Sequence, residues 1–327
     1  MSVLGQQALG APVEQARVIH PRRGVADLVY RRLATGAGLL TLVILVLIGF
    51  FLLLRSLPAF QLMGIRFFTT TEWRPSGPFG ILAIMYWTVV IAAIALVIAM
   101  PVSIAGALFI NEYAPRRLRR ILTALVDLLA AIPSVIYGIW GFAFMEPHLV
   151  GLSGWLTDNL GFIPIFRTTT PNYAGSAFMA GIVVSLMVMP IVTSVTREVF
   201  SQTPPGEKEA ALALGASRWG MIAAVVLPFG RGGIVGASML GMGRALGETI
   251  AVALIISPTT LISLFVLQSG SNSVAAKIAL EFGEASQSIG IPALMAAGLT
   301  LFAVTLVVNF IASVIVARSR SGKGVEI

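Results

Sequence analysis

Two ionisable residues, Arg244 and Glu248, stand inside a long apolar stretch that runs Met242-Gly243-Arg244-Ala245-Leu246-Gly247-Glu248-Thr249. An arginine deep in a membrane span costs about 2.5 to 3.5 kcal/mol on insertion scales, so such residues normally pair or line a polar cavity. Four residues apart on a helix, the two share a face, and pairing there lowers the cost. Two uses stay open for them. One is a packed structural ion pair. The other is a place on a translocation pathway, since ionisable residues within a span usually line polar cavities. Around them Gly232 and Gly236, Gly243 and Gly247, and Ala237, Gly241 and Ala245 repeat every four residues. Rows of small residues let helix backbones approach closely in lipid, so this helix belongs inside a bundle or at a subunit seam.

The second constellation is mechanical. It begins Thr203-Pro204-Pro205-Gly206-Glu207-Lys208-Glu209-Ala210-Ala211-Leu212-Ala213-Leu214-Gly215 and runs on from Ala216 to Leu227-Pro228. Proline suits a first helical turn, where its missing N–H has no partner to lose. Glu207 and Glu209 then sit near the positive end of the helix dipole. Gly215 can take the left-handed conformation that ends a helix, and Ser217 can cap the next one. The pattern predicts two short helices joined by a sharp turn, the second stopping at Pro228. With apolar runs on either side, this polar knuckle is expected to stand clear of a membrane.

Composition sets the class that these features belong to. The chain has 327 residues, of which 57% are hydrophobic and 11% charged, against about 25% charged in a soluble domain. So apolar a surface requires lipid, and an all-α integral membrane protein follows. There is no cysteine and only two histidines, His20 and His148, which argues against disulfides and metal clusters. No GxxxxGK[ST] sequence occurs, so any ATP is expected to be hydrolysed by another chain, with no cofactor held here. The net charge of +8 raises the question of a nucleic-acid surface, which the distribution of the charges answers.

Taken in order, residues 1–35 form a basic tail, expected to be loosely ordered and cytoplasmic. A first span is expected over 36–57, because 22 uncharged residues separate Arg32 from Arg55; that is too long for the apolar core of a signal peptide and enough for a membrane of about 30 Å. An external loop, 58–80, carries aromatic residues suited to a membrane interface, among them Phe67, Phe68 and Trp73. A core of five further spans follows over 81–317, near 81–110, 121–144, 176–196, 234–257 and 292–316, with the knuckle at 198–233 and a cytoplasmic tail at 318–327. Asp127, within two turns of the basic loop Arg116-Arg117-Leu118-Arg119-Arg120, either snorkels toward it or has a function. Six spans put both termini on one side. That side carries sixteen Lys and Arg and the other five, with Arg244 inside a span. Basic residues concentrate on the cytoplasmic side, so termini and knuckle are expected there. The charge is topology, and no nucleic-acid partner is expected.

At the knuckle the residues resemble a known family. Glu209-Ala210-Ala211, then Gly215 after three residues and Val225-Val226-Leu227-Pro228 after nine more, resemble the EAA loop of ABC-importer permeases. The alternative is an ordinary amphipathic cytoplasmic loop. Met242 to Val252 is similar to the signature of PstC-type permease subunits of phosphate-specific ABC importers. Leu129 to Gly141, Phe67 to Trp73 and Met189 to Phe200 resemble those subunits too, over nearly everything from about residue 36 to the last span. The resemblance implies a type I ABC-importer permease fold with cytoplasmic coupling helices, in a bacterial inner membrane. It implies that Glu209, Ala210, Ala211, Gly215 and Pro228 belong to the docking element for an ATPase. It further implies a homologous PstA-type permease, a cytoplasmic PstB-type ATPase dimer and an extracytoplasmic phosphate-binding protein as partners. Arg244 and Glu248 would then lie on the phosphate pathway. The rivals are a permease for another oxyanion (molybdate, sulfate or a phosphonate), an ion-coupled secondary transporter, and, with no nucleophile–base pair to support it, an intramembrane enzyme.

The topology is testable because the chain lacks a native thiol. A cysteine placed at Ser217 should react with an impermeant reagent only after permeabilisation, and one at Ser271 or Ser153 should react in intact cells. Labelling of Ser217 from outside would overturn both the orientation and the docking assignment.

Overall fold

The computed structural model describes residues 25–74, 77–286 and 288–319. Residues 1–24 of the expected N-terminal tail and 320–327 of the expected C-terminal tail lie outside the described residues. The described chain is almost wholly helical, and six helices are long and apolar enough to cross a membrane by length and composition. Only isolated β-bridges occur beside them, such as Ser176 with Ser269 and Pro258 with Ser271.

The first helix, α1, spans Val25–Met63. It starts before the expected boundary at residue 36 and runs through Pro58 instead of ending at 57. The chain divides into two compact units, 1–48 and 49–327. In the first, residues such as Leu39, Leu40, Val46 and Leu47 are exposed on all sides of the helix, the pattern of a segment solvated by lipid. In the second, Ser56 and Ala59 are buried. There the end of α1 packs with Phe67, Trp73, Phe79, Ile84, Val274 and Leu294.

The second unit continues with α2 (Leu82–Leu108), closed by a π-helical turn at Phe109–Tyr113. Next come α3 (Arg116–Ala131) and α4 (Ser134–Leu160), the latter with a π-helical turn at Gly141–Met145. These replace the single span expected near 121–144. Pro133 disfavours the helical conformation at the residue before it, and Ile132 is extended, with φ −66° and ψ 130°. Pro133 also leaves the Leu129 carbonyl without the N–H that would reach it from four residues on. The hydroxyl of Tyr137 donates to that carbonyl at 2.9 Å.

Then follow α5 (Ala177–Ser201), α6 (Pro205–Ala213), α7 (Arg218–Leu246) and α8 (Ile250–Ile255). The last two are α9 (Val274–Glu281) and α10 (Gly290–Ser319). The span expected over 234–257 therefore starts earlier and is interrupted at residues 247–249. Pro228 does not end a helix. A π-helical turn at Ile222–Val226 precedes it, with the Leu227 N–H reaching back five residues to the Ile222 carbonyl, and this absorbs the proline within α7.

The centre of the unit is α2 against α5, with α7 antiparallel beside them. Small residues make this approach possible: Ala92, Ala95 and Ala99 on α2, Ala180 and Gly181 on α5, Ala237 and Ala245 on α7 are buried together. A Cβ on Gly181 would lie 2.5 Å from Cγ2 of Ile94. A third cluster, Ala107, Leu108, Phe200, Met221, Ile222 and Val226, closes the end of the bundle beneath α6.

Ser153 and Ser271 are fully buried, so neither suits the labelling test; Thr170, exposed between α4 and α5, takes their place as the outer reporter. A packing test follows from Gly181. Gly181→Ala should lower the thermal midpoint of the purified protein, since overpacking costs about 1 to 3 kcal/mol. Gly151→Ala, where a Cβ meets nothing within 4 Å, should not. Equal midpoints for the two variants would show that α2 and α5 are not in this contact.

Candidate functional site

The knuckle is built as its residues direct. Thr203 is buried, Pro204 is extended with φ −56° and ψ 127°, and Pro205 opens α6 with Glu207 in its first turn. At the other end Gly215 has φ +87°. Its N–H donates to Leu212 O at 2.9 Å, and the Ala216 N–H donates to Ala211 O at 3.1 Å. These are the two bonds of a Schellman turn, which satisfy carbonyls that the helix end would leave free. Ser217 then caps α7, its Oγ accepting from the Gly220 N–H at 3.1 Å. The turn resists a side chain at Gly215 by its backbone conformation alone, because open space surrounds the position.

The structure divides the expected docking residues between two faces. Pro204, Lys208 and Ala211 are half-buried, at helical spacing. Glu207, Glu209, Ala210, Ala213 and Leu214 are exposed, Leu214 to 90%. Ala211 packs onto the cluster around Phe200 and Ile222, so its small size serves the permease's own core. Ala210 and Glu209 face outward. Pro228, also exposed, lies in α7 and away from the tip.

At the intramembrane site the structure separates Arg244 from Glu248. Gly230 lies against Phe200, Gly233 against Val199 and Gly241 against Val188 and Val192. Three residues beyond Gly241, Arg244 is therefore about midway along α5. Helix α7 ends at Leu246, so the expected pairing across one helical turn has no continuous helix to carry it. Among the described residues no ion pair joins the two. Glu248 is buried, 7% exposed, and its Oε1 accepts from the Ala251 N–H at 3.2 Å. The carboxylate thus satisfies a free donor of α8, and the Thr249 hydroxyl donates to Gly247 O at 3.1 Å. The reason is local: α7 ends at Leu246, and a carboxylate just before a helix start prefers its free N–H groups.

Arg244 points elsewhere. It lines a pocket of about 240 Å³ with Ile191, Met239, Leu240, Gly243 and Asn309, and its Nε is buried without a partner. An unpaired guanidinium donor, in a pocket whose other polar side chain is Asn309, favours an anion or a polar group from outside the chain.

Sequence reasoning missed several polar contacts because no spacing announces them. Asp127 accepts from Ser194 at 3.3 Å and Arg197 donates to Thr123 at 2.8 Å, which ties α3 to α5. Asp127 therefore has a partner within the bundle. Glu146, in α4, keeps one buried oxygen without a partner. Among the described residues no group of three His, Cys, Asp or Glu is placed to hold a metal.

A family model described as "Binding-protein-dependent transport system inner membrane component" matches residues 99–321. The chain is 41% identical over 307 residues to the phosphate transport system permease protein PstC 2 of Mycobacterium tuberculosis, covering 92% of this chain and 94% of that protein. It is 44% identical over 271 residues to PstC of Mycobacterium leprae, covering 81% and 85% respectively. With PstC of Xylella fastidiosa the identity is 40% over 303 residues, covering 91% and 93%. A chain of a bacterial ABC transporter involved in importing the acidic polysaccharide alginate shares the fold, with a TM-score of 0.58 at 19% identity over 90% of this chain and 98% of that one.

If Arg244 and Glu248 do not pair, their substitutions should act independently. The stability loss of the double variant Arg244→Gln/Glu248→Gln should equal the sum of the single losses within about 0.5 kcal/mol. Glu248→Ala should cost more than Glu248→Gln, which keeps an acceptor for Ala251, by about 1 kcal/mol. Thermal unfolding of the purified variants decides the matter; a double variant more stable than either single one would restore the ion pair.

Proposed function

This chain belongs to the family of inner membrane components of binding-protein-dependent transport systems, and from that premise we propose that it is a permease subunit of an ATP-driven importer of inorganic phosphate. The end-to-end likeness to PstC permeases is the observation that carries the proposal. Within it, a homologous PstA-type permease completes the pore. A PstB-type ATPase dimer binds the exposed face of α6 from the cytoplasm, where both termini also lie. An extracytoplasmic binding protein delivers phosphate. The chain itself hydrolyses nothing: ATP is spent in the ATPase, and α6, held rigid by its Schellman turn, passes the movement to the spans.

Arg244 and Glu248 take different parts on the pathway. Phosphate carries between one and two negative charges near neutral pH, and the free Nε of Arg244 supports a transient, charge-assisted contact with it at mid-membrane. A weak contact serves transport better than a tight site, because the anion must leave. Glu248 holds the break between α7 and α8, and a broken helix in a membrane is tolerated where it borders protein or a polar cavity.

In vesicles loaded with ATP and supplied with binding protein, the assembled complex should take up phosphate, and excess sulfate or molybdate should not compete. Arg244→Gln should stop uptake with the complex intact. Gly215→Val, which forces a β-branched residue into φ +87°, should release the ATPase while the permease still inserts. Uptake that persists without ATP but follows a proton gradient would refute the ATP-driven reading, and competition by another oxyanion would reassign the substrate.

A further inference from the structure

Helix α6 is joined by the chain itself to α5 on one side and α7 on the other, so both must follow when it moves. The end of α2 has no such connection: Glu112 is 96 residues from Lys208 in sequence. Yet Lys208 is the charged residue of α6 that turns inward, between exposed Glu207 and Glu209, and its Nζ lies 2.6 Å from Glu112 Oε1. The Glu112 side chain is 8% exposed and that of Lys208 is 20% exposed. Asn111 Nδ2 donates to the same carboxylate oxygen at 3.0 Å. Glu112 stands in the π-helical turn that ends α2. A carboxylate at a helix C-terminus meets the negative end of the dipole, and Lys208 offsets that charge. From α3, Arg119 donates to the Ile110 carbonyl at 3.0 Å and also to that of Asn111, holding the same turn from its other side.

We propose that the Lys208–Glu112 pair is the positioning link through which movement of α6 reaches α2, a proposal that rests on the reading of α6 as the ATPase-docking helix. Two kinds of contact join α6 to the bundle. Ala211 presses on the cluster that includes Ala107 and Leu108 of α2, and apolar contact of this kind is non-directional. It transmits a push, but it slides or parts under a pull. A largely buried ion pair fixes a distance, because separating it leaves an uncompensated charge. The pair therefore draws α2 back when α6 withdraws. Since α2 packs along α5 and α7 through the small residues of the core, displacement at Glu112 propagates into the bundle that carries Arg244.

The test uses the assembled transporter, with both permeases, the ATPase and the binding protein, reconstituted in vesicles. Glu112→Gln and Lys208→Gln should each retain the ATPase, but phosphate moved per ATP hydrolysed should fall about fivefold or more. The charge-exchanged double variant Glu112→Lys/Lys208→Glu should recover most of that ratio, and Lys208→Arg should keep it. Loss of the ATPase from both single variants would make the pair a folding strut and overturn the proposal, as would a wild-type ratio in either one. Should the wild-type complex hydrolyse ATP in response to binding protein yet move no phosphate, the substrate reading fails separately. The pair is then judged by that stimulation, which the single variants should lose and the exchanged double should regain.

Discussion

A backbone amide that leaves a helix within hydrocarbon finds no water, so each interruption of a span must bring its own hydrogen-bond partner. Several interruptions among the described residues are supplied in that way. At Ile132-Pro133 the Leu129 carbonyl, which loses the N–H four residues on, accepts from the Ile132 N–H at 3.3 Å and from the Tyr137 hydroxyl at 2.9 Å. Before Pro228 a π-helical turn shifts the bonding by one residue. Between α7 and α8 the Glu248 carboxylate accepts from the Ala251 N–H. At Gly215, outside the expected spans, two main-chain bonds close the turn. The helices therefore bend and break where the sequence has provided for it, and elsewhere run long.

With backbone groups satisfied, close packing of small residues is left to hold the bundle, for lipid tails are as apolar as the helices they surround. Alanines on α2, glycine and alanine on α5, and the row Ala237, Gly241 and Ala245 on α7 bring three backbones together at the centre. Against this rigid middle, the two ends are more polar and more varied. One end packs Trp73, Phe79 and Val274, and Lys277 and Glu281 meet Trp73 there. The other presents α6 with its exposed leucine and carboxylates. A stiff bundle with a separately built knuckle suits a permease moved by an ATPase outside itself.

The division of α6 into two faces gives the EAA-like pattern its physical content. Its exposed face carries Glu209 and Ala210, whereas Ala211 and Lys208 pack against the rest of the chain. Residues adjacent in one motif thus answer to different constraints, one of exposure and one of packing and charge toward the bundle. Arg244 and Glu248 repeat the lesson within the membrane. They are four residues apart, but one lines a pocket and the other caps a helix.

The all-helical membrane class, the apolar spans and the knuckle with its Pro205 start, Gly215 turn and Ser217 cap were legible in the sequence. Each depends on composition or on backbone preferences that act over a few residues. The spacing of Arg244 and Glu248 marked a site of interest, but their pairing required an unbroken helix, and Gly247 with the capping of α8 decided otherwise. Breaks at Pro133 and continuity through Pro228 look alike in sequence. At the first, Ile132 turns extended and the Leu129 carbonyl accepts from the Ile132 N–H and the Tyr137 hydroxyl; before the second, a π-helical turn carries the helix on. Only the tertiary structure could place Lys208 against Glu112 or Asp127 against Ser194, since such contacts join residues far apart in the chain and depend on which helix faces meet. Local chemistry fixed where helices begin, turn and end, and packing decided which of their polar groups meet.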